Sequence, residues 1–389
     1  MAPSDDDSID RFLERYNALV PGQSSPLWTE MRTHVPAAIE AGEWRWIAAL
    51  YDRIAVDCPP LLHLVRSDAL TALAFVRDRA ALDAFVARAR VAPSWAKGFD
   101  RTARGWPRKV GAMLGYQQDT AALEYLIETY GDAGDVVESL LCFAQELVSF
   151  DLPVADSAIV RRFWRRHGEV GHALAGLPLS LLECEKGLRR RYPGPLDLLG
   201  NWFWFSHTFS TYASDPPPSL PRASVDRELA LDDVARTEAA GAFADPMSFP
   251  NGRFEARAFS IEPSDGPRSV RGLPLECLEG DPEPLVELAK SHVETLSALW
   301  SMFTQGGAYA EGRSAAYGRL HAWRTLASLA GVDASTELRA VDDAARRSWF
   351  TMFSSASASW FDHVCIDVGI TCVRSDGRSM MALAATDSD

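Results

Sequence analysis

Seven side chains near the C-terminus have types and spacings suited to chemistry. His363, Cys365 and Asp367 alternate along one apolar run. A β-strand there puts all three on one face, away from Val364, Ile366, Val368, Ile370 and Cys372. A thiol, an imidazole and a carboxylate are what a thiol nucleophile requires. Neighbours two apart on one strand stand side by side, about 6–7 Å apart, whereas working triads draw on separate elements. A polar outer sheet face is therefore the plainer reading. The other four, Arg313, Tyr317, His321 and Arg324, recur at three- and four-residue spacing along one helix stripe. Gly306, Gly307 and Gly312 precede them, and a glycine-rich loop that opens a helix offers N–H groups to an anion. The alternative is a tight turn followed by a solvated helix face. If the stripe met the Asp367 face, two guanidinium groups would hold an anion, with Asp367 orienting an arginine or acting as a base.

Other chemistries find little support. No GxxxxGK[ST], HExxH, GxSxG, EF-hand loop or CxxC pair occurs, and no cofactor is implied. His167 and His172 form the one histidine pair with ligand-like spacing; no third ligand is near, so no metal is expected. Cys58, Cys142, Cys184, Cys277, Cys365 and Cys372 are scattered among mostly apolar neighbours and read as reduced, buried thiols of a cytosolic protein. Arginines alternate with aromatics in Arg161–His167 and Arg189–Tyr192, a pattern that can grip phosphates and stack bases. The net charge of −14 opposes nucleic acid and anionic membranes and would steer a basic partner protein inward. The N-terminus lacks the basic and apolar regions of a signal peptide, and no apolar run approaches the roughly 20 residues of a membrane helix.

Periodicity predicts the helices and strands that carry these residues. Val364–Val373 and Ser379–Thr386 read as a hairpin around Arg374–Arg378, where Gly377 can adopt positive φ. Gly312–Ala330 reads as a helix with Ala316, Leu320, Trp323, Ala327 and Ala330 on its core stripe. Upstream come a short acidic helix near Val225–Glu238, a strand at Arg253–Ile261, and helices over Pro282–Gln305 and Ser335 to about Trp360. The order β-α-α-α-β-β predicts a small, mainly antiparallel sheet covered by helices. Prolines 216, 217, 218 and 221 mark a stiff linker over residues 213–226, separating this α+β domain (227–389) from an all-α domain (8–212). The expected helices there are Trp28–Ala41, Glu43–Val56, Leu61–Val76, Arg79–Arg90, Thr120–Tyr130, Val136–Phe150, Ser157–His167 and Leu177–Arg191. Ala37–Glu40, Ala80–Asp83 and Ala121–Glu124 match in pattern, with starts 43 and then 41 residues apart. That spacing suits an α-solenoid; a plain bundle is the alternative. The aromatic run Trp202–Phe209 reads as a buried seam. Overall the fold class is α+β.

The C-terminal third resembles a family of bacterial proteins of unknown function. The likeness rests on Gly306–Tyr309, Gly312-Arg313, Ala316–Leu320, Ala322–Arg324, Trp360–Asp362, Arg374, Asp376–Ser379 and Leu383–Asp387. It implies a recurring domain and assigns no activity. The missing catalytic signatures weigh against an enzyme. The expectation is a non-catalytic, cytoplasmic protein-interaction module, taking a basic partner as toxin-neutralising proteins do. The alternative is an enzyme or sensor for a phosphate-bearing small molecule, bound through the C-terminal domain.

Overall fold

The computed structural model describes residues 9–11, 14, 37–39, 41–54, 60–90, 105–188, 219–245, 249, 251–279, 285–306, 314–333, 335–355, 360–361 and 366–387. The aromatic run Trp202–Phe209, the consecutive prolines 216–218 and the basic Arg189–Tyr192 lie outside them. The chain divides into two compact units: residues 1–170 with 191–202, and 171–190 with 203–389.

The first unit is helical: α1 (Trp44–Arg53), α2 (Pro60–Phe75), α3 (Arg79–Ala89), α4 (Gly105–Gln117), α5 (Thr120–Tyr130), α6 (Gly134–Ser149) and α7 (Ala158–Glu169). Side-chain caps set three of the starts. Asp78, Asp119 and Ser157 accept from Ala81, Ala122 and Val160 N–H groups, satisfying donors the helix leaves open. The helices form two layers. In one, α2 packs on α4 and α4 on α6; in the other, α1 touches α3, α3 touches α5, and α5 touches α7. Polar ties bind the second layer: Arg88 to Asp52, Tyr125 and Tyr130 to Asp83, and Arg166 to Asp132.

Helix α4 falls between the expected helices Arg79–Arg90 and Thr120–Tyr130, in a stretch whose Gly111 and Gly115 disfavour a helix locally. Its glycines serve packing instead. A Cβ on Gly111 would stand 2.4 Å from Cys142 Cβ, and one on Gly115 would stand 2.2 Å from Glu146 Cβ. The two bare positions let α4 lie directly on α6. In α7 the arginines face solvent, while Phe163 and Trp164 are buried. Those two aromatics are thus withdrawn from stacking on bases.

The second unit is built on a six-stranded, wholly antiparallel sheet, ordered β1-β2-β6-β5-β4-β3. Its strands are β1 (Val225–Leu229), β2 (Arg253–Ile261), β3 (Leu285–Lys290), β4 (Trp349–Ser355), β5 (Ile366–Val373) and β6 (Ser379–Asp387). Helices α8 (Asp233–Ala240), α9 (His292–Gln305) and α10 (Ala315–Ala330) lie on one face, and α11 (Leu338–Arg346) packs on α9 and α10. The other face packs Phe259, Ile261, Phe353, Val373 and Met380 beneath Val270, Leu273, Leu275, Cys277 and Phe361. The fold is α+β.

The hairpin stands as read. Gly377 has φ +62°, and Asp376 Oδ1 accepts from the Arg378 and Ser379 N–H groups. Four expected helices differ. The acidic stretch gives β1, then α8 from its Asp232 cap. Pro282–Gln305 yields β3 before α9, because Ser291 and Glu294 form a capping box that starts the helix at His292. The stretch after Ser335 ends as a helix at Arg346, and the aromatic run Trp349–Phe353 pairs as β4. Leu177–Arg191 forms no α-helix among its described residues. Instead a 3₁₀ turn at Glu183–Glu185 points Glu185 into the core of the second unit.

Candidate functional site

Helix α10 carries three of the seven side chains the sequence singled out, Tyr317, His321 and Arg324, and its inward face is committed to folding. Arg319 is wholly buried. Its Nε and Nη2 donate to the two Glu185 oxygens at 2.6 and 2.7 Å, and Nη1 and Nη2 reach the Pro178 and Ser180 carbonyls at 3.0 Å. Trp323 Nε1 and the Leu182 N–H donate to the same carboxylate at 2.8 and 2.7 Å. A buried ion pair tolerates desolvation only when its remaining donors and lone pairs are met, as they are here.

The outer stripe is separate. Tyr317, His321 and Arg324 are half-buried, with the Tyr317 and His321 rings 6.1 Å apart and Phe303 6.3 Å from His321. Asp367 lies on the opposite face of the sheet. Its register partner is Thr386, whose hydroxyl donates to Asp367 Oδ1 at 2.7 Å. Thr386 shares that face with Met380, Ala382 and Ala384, which pack away from the helices. The sheet thus stands between Asp367 and the α10 stripe, and the two do not converge. Arg313, His363 and Cys365 lie outside the described residues. Alternation in β5 separates two faces, and it carries no label for which one the helices cover.

A thiol, an imidazole and a carboxylate do meet elsewhere, a constellation the sequence hid by drawing it from three distant segments. His292 Nε2 is 3.1 Å from Asp342 Oδ1, Arg346 donates to Asp342 Oδ2 at 2.7 Å, and the Cys184 thiol lies beside the same carboxylate. Burial pushes the Cys184 thiol up to about 12, and the Asp342 charge adds to the rise. Burial holds His292 below its ordinary value, against the pull of Asp342. Both groups are tied to the one carboxylate of Asp342. Such a knot supports structure better than nucleophilic attack. Burial also raises Cys277, and it pushes Cys372 up to about 12. Among the described residues no three His, Cys, Asp or Glu side chains are placed to hold a metal.

Another polar concentration is a cleft of about 610 Å³ lined by Glu228–Leu231, Arg236, Phe254–Arg257 and Glu276. Arg257 is its hub. It lies 2.7 Å from Glu255, 3.3 Å from Glu276 and 3.4 Å from Glu228. Glu255 is buried and also accepts the Glu276 and Cys277 N–H groups at 2.9 and 3.1 Å. Burial disfavours the Arg257 charge, and the three carboxylates outweigh it, raising its affinity for the proton. Counting Arg236, three carboxylates face two guanidinium groups. Sequence patterning missed this site because the charges of β2 alternate as any solvated strand's do, and β1 read as part of a helix.

A family of unknown function, DUF6183, matches residues 29–389. The chain belongs to DUF6183. Membership covers nearly the whole chain, well beyond the C-terminal third where the resemblance was read. No curated protein and no solved structure matches. In this DUF6183 chain, residues that carried the resemblance hold the fold. Gly318 admits Thr304, Arg319 and Trp323 grip Glu185, and Asp376-Gly377 shape the hairpin turn. Among the described residues no helix is long and apolar enough to cross a membrane.

Proposed function

We propose that this protein is a non-catalytic interaction module that takes a basic segment of a partner protein in the cleft beside β2. One observation carries the reading: Glu228, Glu255 and Glu276 gather around a single guanidinium, leaving an acid excess at the mouth of an open cleft. A positive side chain entering between Glu228 and Glu276 replaces the two longer Arg257 contacts, while Arg257 keeps Glu255. The chain's net charge of −14 steers such a partner toward it. The one described thiol–imidazole–carboxylate group is not poised for attack, the Cys184 thiol being protonated and the His292 imidazole lying against Asp342.

The test is a titration of the full chain with a labelled decapeptide of alternating lysine and valine, beside its glutamate–valine counterpart. Binding of the lysine peptide alone, reduced tenfold or more in a Glu228→Lys/Glu276→Lys variant and weakened by salt, is the expected result. Equal binding of both peptides, or no loss in the variant, overturns the reading.

A further inference from the structure

The cleft has a shape that its charges alone do not explain. Strand β2 runs from Arg253 to Ile261 and pairs with β6 from Arg253 through Ser260. On its other side β1 pairs only from Ala258 to Ile261, ending at the Leu229–Ala258 partners. Beyond Leu229 the chain leaves the sheet toward the Asp232 cap of α8. The position beside Phe254–Arg257 is therefore open, and among the described residues no strand fills it. The cleft is that vacant lane. Its closed end is Leu229–Leu231, and Arg236 of α8 and Glu276 of the loop line it as well.

We propose that the partner's basic segment binds here as an added β-strand, hydrogen-bonded to the backbone of Phe254–Arg257. This rests on the cleft being the interaction site, and it specifies how the site is used. A strand edge presents unpaired N–H and C=O groups, which an extended chain satisfies whatever its sequence. Side chains of the added strand then alternate between the two faces. Glu255 and Arg257 occupy one face with Glu228, as the pairing of Glu228 with Phe259 and of Arg257 with Ala382 shows. Phe254 and Ala256 occupy the other, with Leu229. A residue on the first face meets the carboxylates of Glu228 and Glu276; its neighbours on the second meet apolar surface. The lane thus selects a segment alternating basic and apolar residues. At about 3.4 Å per residue it accommodates a short strand of roughly five residues. The occupant is a partner's segment because the carboxylate excess is matched by added positive charge.

The experiment compares the alternating lysine–valine decapeptide with the same peptide N-methylated on alternate backbone nitrogens. N-methylation leaves every charge in place and removes the donors a strand needs. Amide hydrogen exchange of the full chain is followed with and without peptide. The expected result is binding of the plain peptide, at least tenfold weaker binding of the methylated peptide, and slowed exchange confined to Phe254–Arg257 and its neighbours. Equal binding of the two peptides overturns strand addition and leaves the acidic cleft as the site. Failure of both peptides to bind overturns the cleft reading together with this one. Of the Phe254–Arg257 amides, those that do not bond to β6 are the ones that report on the lane, and their protection without peptide means that this chain fills its own lane, which also overturns the proposal.

Discussion

At the scale of single residues, the side chains that looked most chemical do two different jobs. Arg319 was visible only as part of a resemblance, yet it anchors the second unit through Glu185. Replacing it with Leu strands a buried carboxylate, and the expected loss is about 3–5 kcal/mol in a denaturant titration. A Glu185→Gln/Arg319→Leu double variant recovers part of that loss, because no charge is left unpaired. His292 gives a pH prediction. Its folded form resists protonation through burial, and its ordinary value is 6.5. The unfolded chain therefore takes up a proton first as pH falls through about 6.5. Stability from this group is complete above that pH and declines below it, toward the folded value. Melting temperature measured from pH 7.5 to 5 should fall, and a His292→Asn variant should show a flatter profile over that window.

Elements were legible where local signals agreed and illegible where packing decided. Thr120–Tyr130 and the Gly377 hairpin have caps and turn residues within a few positions, so sequence alone places them. Strand β4 has no such marker, and its aromatic run suits a helix face as well as a sheet; pairing with both β3 and β5 decides it. Helix α4 failed for a further reason. Its glycines weaken the helix by about 0.5–1 kcal/mol each, which local reading counts as a break. The return comes from α6 at close range and has no trace in the nearby sequence. Gly115→Ala should accordingly destabilise by about 1–3 kcal/mol despite its better helix propensity. Gly134→Ala, with nothing within 4 Å of the new methyl, should be neutral or stabilising. Calorimetry of the two variants distinguishes a packing role from a break. The candidate site was the least legible part, because an open lane depends on where β1 stops relative to β2.

At the scale of the whole molecule, the division into units does not follow the order of the chain. Residues 171–190 belong with the sheet, although the segment after them, 191–202, belongs with the helices. A fragment beginning at Phe203 lacks Glu185 and leaves Arg319 buried without its partner. It should be recovered unfolded or aggregated, whereas one beginning at Gly171 should give a cooperative melt by circular dichroism. The same Glu185–Arg319 pair spans 134 residues. At about 5–20 residues per second, the ribosome needs about 7–27 s to supply the arginine after the glutamate has been made. During that interval the first unit can complete itself, while residues 171–190 wait in water with an unclaimed carboxylate. The clamp is thus also a clock: when Arg319 is made, β1–β3 exist and β4–β6 do not, so closure of the second unit is tied to the last stage of synthesis.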